Sequence, residues 1–269
     1  MIDCGEGTQI QMQRYGIRWR RLKRVFISHL HGDHYFGLFG LLTSMSLQGR
    51  TAPLHLHAPA DLEDVMRVVF PAEQTFIGYP LHFHPHPEGA GLLTDGPLYS
   101  VRCFPTEHRI PCWGFVVERK TRGRKLLPEA AAGFGIPQHF FSRLKEGEDY
   151  TAPDGRVVQN ELVTEEGPRP RRYAFCADTR FTESFLPHIQ GVDLMYHEST
   201  YLQDNTERAL TRYHSTARQA AEIAKAAGAK ALILGHYSSS YRDPGVFQQE
   251  AAEIFPDVQA SVEGAGYEV

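Results

Sequence analysis

Chemistry is densest in His29-Leu30-His31-Gly32-Asp33-His34, where three imidazoles and a carboxylate fall within six residues. The segment follows an apolar run at residues 25–28 that reads as a buried strand. It precedes residues 35–47, apolar enough for a largely buried helix. In extended backbone alternate residues share a face, so His29 and His31 can grip one ion. Gly32 lets the chain turn, and Asp33 and His34 can then face a second ion a few ångströms away. Two cations about 3.5–4 Å apart stabilise both the attacking and the leaving oxygen of a phosphoryl displacement, so metal-assisted hydrolysis is the chemistry this spacing suits.

Six residues cannot complete two coordination shells, and further donors are expected just past the ends of later strands. Four places stand out. His108 follows the strand ending near Pro105, Asp178 follows a strand at 173–176, His197 and Glu198 close a strand at 194–197, and His236 follows a strand at 231–235. A single loop histidine is ordinarily structural, but the recurrence at strand ends points to one shared site. Fourteen histidines are also many for 269 residues, and several sit beside carboxylates, as metal coordination requires.

The elements needed to position these groups are legible as short β-branched or aromatic runs alternating with stretches of helical period, the pattern of an α/β protein. Besides those already named, strands are expected at 54–57, 81–84, 100–105 and 113–118, and helices at 61–69, 216–227 and 246–255. Thr216 and Gln219 form a capping pattern that starts the first-named of the last two helices just after His214. From about 119 to 171 the composition turns polar and rich in Gly and Pro, with a short helical hint at 128–134 and a turn signal at Pro153-Asp154-Gly155. This stretch reads as an arm inserted into a single domain spanning 1–269.

Composition excludes several classes. No apolar run is long enough to span a membrane, and the first residues lack the regions of a signal peptide, so a cytoplasmic protein is expected. Cys4, Cys103, Cys112 and Cys176 are far apart with no CxxC pair, which argues against a disulfide framework or a thiolate zinc site. A net charge of −4 argues against coating nucleic acid by bulk electrostatics. Three basic runs stand out locally: Arg14, Arg18, Arg20, Arg21, Lys23 and Arg24; Arg119, Lys120, Arg122, Arg124 and Lys125; and Arg169, Arg171 and Arg172. Runs of this kind are more often solvated faces than phosphate grooves.

Taken together, Asp3-Cys4-Gly5-Glu6-Gly7-Thr8-Gln9, the histidine motif, His108, Ala177-Asp178-Thr179, His197-Glu198-Ser199-Thr200, His214-Ser215-Thr216-Ala217 and Gly235-His236 resemble ribonuclease Z of the metallo-β-lactamase superfamily. That family trims 3′ trailers from precursor tRNA. The resemblance implies an α/β protein with the αββα sandwich of the superfamily. It implies two zinc ions per subunit, one on His29, His31 and His108 and the other on Asp33, His34 and His236, with Asp178 bridging. Manganese or iron would suit the same shell. A bridging hydroxide would be the nucleophile, oriented by Asp33, and His214, its tautomer fixed by Glu198, would protonate the departing 3′-oxygen. Precursor tRNA as substrate, a homodimer and a cytoplasmic location are implied as well.

The chain departs from the family in three places. Members carry two N-terminal strands and a glycine-rich loop before the segment that here begins at Asp3, so a shortened first sheet is expected, with the recorded start lying inside a longer protein. In the arm, Gly135-Ile136-Pro137 and Leu144-Lys145-Glu146-Gly147-Glu148 follow the family outline, but Gln138-His139 stands near the usual Gly-Pro tip. Ser238-Ser239-Ser240-Tyr241 holds serine where relatives often place arginine. Two other readings use the same residues: a phosphodiesterase or arylsulfatase for small substrates, and a catalytically impaired RNA-binding remnant. The inserted arm argues against the first, and intact His214 and Glu198 argue against the second.

Overall fold

A computed structural model describes residues 1–269 except Arg122, a member of the second basic run, and Pro168. The chain divides into two compact units, one of Met1–Thr94, Val101–Val117 and Arg172–Val269, the other of Asp95–Ser100 and Glu118–Arg171.

The chain opens with α1 (Thr8–Arg14), β1 (Arg24–Phe26), α2 (Gly32–Tyr35), α3 (Gly37–Leu47), β2 (Leu54–Ala58), α4 (Asp61–Ala72) and β3 (Leu81–Pro85). β4 (Gly91–Asp95), β5 (Tyr99–Pro105) and β6 (Trp113–Arg119) follow. The second unit contributes β7 (Lys125–Leu126), α5 (Pro128–Gly133), α6 (Phe141–Lys145), β8 (Tyr150–Thr151), β9 (Val157–Val158) and β10 (Thr164–Glu165). The chain then forms β11 (Arg171–Cys176), α7 (Leu186–Ile189), β12 (Leu194–Glu198), α8 (Thr206–Arg212), α9 (Ala217–Ala227), β13 (Ala231–Gly235), α10 (Gly245–Ala252) and β14 (Val258–Ala260).

Two sheets result, one in the order β1-β2-β3 and one in the order β14-β13-β12-β11-β6-β5-β4. Strands β11 to β14 run parallel, and β13 and the first three residues of β12 read as continuous apolar segments because parallel strands are covered on both faces. α9 covers this sheet with Ala217, Ala220, Ala221, Ile223, Ala224 and Ala227, a stripe at helical spacing whose small side chains allow close approach. Its start is fixed as expected: Thr216 accepts from the Gln219 backbone N–H while the Gln219 side chain accepts from the Thr216 N–H. A second core joins α3 (Leu38, Leu41, Leu42, Met45) and α4 (Leu62, Met66) to β1 and β2 (Val25, Leu54, Leu56). The sheets face each other through Phe26 and Phe115, ring centroids 5.7 Å apart, so this unit is layered helix, sheet, sheet, helix.

The helix expected over 35–47 is two, because α2 forms within the histidine motif and Phe36 separates it from α3. α1, β4 and β14 were not anticipated: β4 has no fully buried residue and β14 is three residues long, too little periodic signal to read. On the free side of β1, Ile2 makes a parallel bridge to Phe26. All four cysteines are buried free thiols.

The second unit holds its own core of Ala131, Ile136, Phe140, Leu144, Val158 and Val163. Antiparallel pairs β7–β10 and β8–β9 frame it, the latter turning through Gly155 at φ 83°. Buried Asn160 ties the unit together, donating from Nδ2 to the carbonyls of Leu144 and Glu148, both at 2.8 Å. Three members of its basic run are paired: Lys120 with Asp95, Lys125 with Glu165, and Arg124 donating to Thr164 Oγ1.

Candidate metal centre

The centre is gathered from strand ends and from α2. Past β1 the chain stays extended as far as His31 (φ −77°, ψ 144°), so His29 and His31 project together, His29 Nε2 lying 3.0 Å from His31 Nδ1. His108, in the loop after β5, brings Nε2 to 3.1 Å from His31 Nδ1. Asp178, just past β11, puts Oδ2 3.7 Å from His29 Nε2 and 3.9 Å from His108 Nε2. Beside this group the turn of α2 presents Asp33 and His34, and His236 joins them from the end of β13. Nε2 of His34 and Nε2 of His236 are 3.3 Å apart, and each lies 3.5 Å from Asp33 Oδ2. Asp178 faces this group too, Oδ1 at 3.4 Å from His236 Nε2 and Oδ2 at 3.5 Å from His34 Nε2.

These spacings fit ligands of a common ion. Tetrahedral bonds of about 2.0–2.1 Å place donor atoms about 3.3 Å apart. Two sets, His29-His31-His108-Asp178 and Asp33-His34-His236, each hold their donor atoms within 4.8 Å of one another, and Asp178, His214 and His236 make a third that shares a member with each. A mixed imidazole and carboxylate shell suits zinc, manganese or iron.

The electrostatics point the same way. Asp33 is held well below the usual carboxylate range by hydrogen bonds to His236 and His34. Burial alone would push Asp178 up, but His236 and His34 overcome it and hold the carboxyl well below its ordinary value. Burial likewise opposes charge on His34, yet bonds to Asp178, Asp3 and Asp33 raise it to about 12. His236, buried but facing Asp178 and Asp33, is raised to about 9. Burial lowers His29 to about 2, with the His34 charge adding, and lowers His31 and His108 as well. One side of the centre thus calls for positive charge and the other offers neutral lone pairs, the combination that bound cations satisfy.

An outer ring of hydrogen bonds orients the imidazoles. His34 Nδ1 donates to Asp3 Oδ2 at 2.8 Å, and Asp3 also accepts from the N–H and hydroxyl of Ser28. His108 Nδ1 donates to the Tyr213 carbonyl at 2.9 Å, and His236 Nδ1 meets Thr200 Oγ1 at 3.0 Å. Each leaves Nε2 facing the centre. Asp3, Tyr213 and His236 adopt φ of 54°, 59° and 61°, left-handed backbone that costs a non-glycine residue about 1 kcal/mol or more. That three such residues border the centre shows how firmly the surroundings hold it.

His214 and Glu198 stand alongside. Tyr213 ends α8 in left-handed backbone and turns His214 inward, its Nδ1 3.0 Å from Glu198 Oε1 and 4.0 Å from Asp178 Oδ2. Glu198 is 1% exposed and also accepts from the N–H groups of Thr179, Thr200 and Ser215 and from the Thr200 hydroxyl. The helix cap that follows is made by Thr216 and Gln219, leaving the His214 side chain to the site.

Every residue anticipated as a ligand or a proton donor lies in this cluster except His197. Strand alternation turns His197 away from Glu198, so its ring packs near Phe185 in the core while Nδ1 donates to the Glu198 carbonyl at 2.6 Å. Asp3 and Thr200 stood in the quoted motifs without an assigned role, and Ser28 and Arg109 were not singled out. Their parts depend on contacts between residues distant in sequence, which no local spacing encodes.

Residues 1–68 match a family model described as Anti-Pycsar protein Apyc1. Over a far longer span the chain is 42% identical to ribonuclease Z of Parabacteroides distasonis across 265 residues, 98% of this chain and 87% of the relative. It is 43% identical to ribonuclease Z of Porphyromonas gingivalis, covering 97% of this chain and 86% of the relative. The chain belongs to the ribonuclease Z family. The structure agrees: it superposes on human tRNase Z, short form, with a TM-score of 0.69 at 25% identity, covering 98% of this chain and 85% of the human one. The metallo-β-lactamase fold protein YhfI from Bacillus subtilis shares the fold at a TM-score of 0.67 and 20% identity, again over 98% and 85% of the two chains. The ribonuclease Z motifs in this chain are thus carried on the sandwich that the sequence implied.

Proposed function

We propose that this chain is an endoribonuclease that removes 3′ trailers from precursor tRNA with two divalent cations, zinc foremost. The observation that carries the reading is His214, held 3.0 Å from Glu198 and beside both donor sets, in a chain of the ribonuclease Z family. His29, His31 and His108 would hold one cation, Asp33, His34 and His236 the other, with Asp178 facing both. Bound there, the cations supply positive charge to the phosphoryl oxygens and a more acidic water.

The chain's own groups do the rest. Asp33, the most exposed carboxylate of the centre at 62%, orients the attacking water by accepting its hydrogen bond. Glu198 fixes the His214 ring through Nδ1 and balances the imidazolium charge. As the phosphorus–oxygen bond breaks, the His214 proton passes to the departing 3′-oxygen. The protein acts in the cytoplasm as a homodimer, with the insertion of residues 119–171 helping to hold the tRNA body. Contacts of that kind recognise shape through phosphates and riboses rather than base edges.

The test is cleavage of a trailer-bearing precursor tRNA beside a chromogenic phosphodiester. The expected result is cleavage at the trailer junction, abolished by a chelator and restored by zinc. Turnover of the small ester alone, or tight RNA binding without turnover by the zinc-loaded protein, would overturn it.

A further inference from the structure

We propose that Arg109 is a phosphate clamp at the rim of the metal centre, gripping the nucleic-acid backbone beside the cleaved bond. This assignment rests on the phosphodiesterase reading above. Arg109 directly follows His108 and is exposed, with Nη2 2.8 Å from His31 Nε2. It makes no other hydrogen bond or ion pair among the described residues.

That contact is conditional on which ring nitrogen carries the proton. A guanidinium donates through every N–H and accepts nothing. His31 Nδ1 is the nitrogen turned to the centre, 3.0 Å from His29 Nε2 and 3.1 Å from His108 Nε2. When the Nδ1 lone pair serves as a ligand, the ring proton resides on Nε2, and two donors then face each other. Arg109 is left a positive charge with no acceptor among the described residues.

The neighbouring carboxylates are already committed. Glu107 accepts from Arg180 Nε at 2.8 Å and from the Thr182 hydroxyl at 2.6 Å. Glu198 is filled by His214, Thr200, Thr179 and Ser215. Asp178 is turned to the imidazoles. A planar fork at the mouth of a site that works on phosphodiesters fits the paired oxygens of a phosphate, and needs no displacement of another ion pair to reach them. Arg109 is on this account a substrate-positioning residue, acting on binding ahead of the chemical step.

The experiment measures equilibrium binding of a precursor tRNA made resistant to cleavage at the trailer junction, from low to moderate salt, with metal content determined for each variant. Arg109→Gln is expected to bind roughly tenfold more weakly, to lower the slope of log K against log salt by about 0.7–0.9, and to keep its metals. Arg109→Lys should recover the slope but only part of the affinity, since an ammonium lacks the fork. An unchanged slope, or metal lost in step with affinity, overturns the clamp. Should the wild type bind no precursor tRNA yet hydrolyse a chromogenic phosphodiester, the tRNA reading fails and the clamp is judged on that ester. There a raised KM in Arg109→Gln supports it and an unchanged KM overturns it. A metal-loaded wild type inert to both substrates overturns both proposals.

Discussion

At the scale of single residues, the proposed function assigns metal holding and proton transfer to different groups, and substitutions should separate them. His214 touches Glu198 and shares a donor set with Asp178 and His236 but not with His29 or Asp33, so metal retention is the deciding readout. His214→Ala is therefore expected to lose about 10²–10⁴ in kcat while keeping its metal; loss of metal together with activity would mean that His214 is a ligand. Asp3 acts one step further out, since its carboxylate accepts a hydrogen bond from His34 Nδ1. Asp3→Asn should weaken metal affinity about 10–100-fold, read by competition with a chromogenic chelator, and unchanged affinity would count against an orienting role. His29 to His34 could be read from spacing alone, because six consecutive residues fix their own geometry. Asp3 could not, because its partner lies 31 positions away.

At the scale of elements, local chemistry is cleanest at α9, where a capping box opens the helix and Gly228 in left-handed backbone closes it. Thr216→Ala should cost about 1 kcal/mol in urea unfolding, and a cost near zero would show that packing of the alanine face alone sets the helix start. Close approach matters more at Gly5, where an added Cβ would run into the Asp33 carbonyl. That contact presses the loop carrying Asp3 against α2, so one methyl group there displaces backbone on both sides. The Thr216 signal was legible because a cap is four residues long. The split between α2 and α3 was not, since Phe36 between them keeps helical backbone angles (φ −61°, ψ −27°) and no proline marks the break.

Across the molecule, a second histidine group gives the fold a pH dependence independent of catalysis. His57 is lowered to about 3 by burial, with the His84 and His86 charges and Arg24 adding, and His86 is lowered by burial to about 4 despite donating to the Ile27 carbonyl. His55 and His84 are lowered as well, burial first and then Arg24 or neighbouring histidines. His57 stacks on both Phe26 and His84, inside the first unit. These rings stay neutral in the fold while the unfolded chain takes up protons below about pH 6.5, so their contribution is complete above that pH and is lost as the pH falls toward the folded values. Denaturant midpoints are expected to drop between about pH 7.5 and about pH 5, and His57→Gln should flatten the drop; a midpoint independent of pH in the wild type would sink this account. None of this was visible beforehand, because an isolated histidine does not reveal whether it will be stacked, exposed or bound to metal. Legible in the sequence alone were the candidate metal-binding pattern, the family, the strand ends that carry His108, Asp178, Glu198 and His236, and the cap of α9, each encoded within a few consecutive residues. Only the packing of the chain places His197 toward the core, Asp3 against His34, Arg109 beside the His31 ring and Asp178 within reach of both donor sets. Those outcomes follow from which strand lies beside which, and the packing of the whole chain alone fixes that.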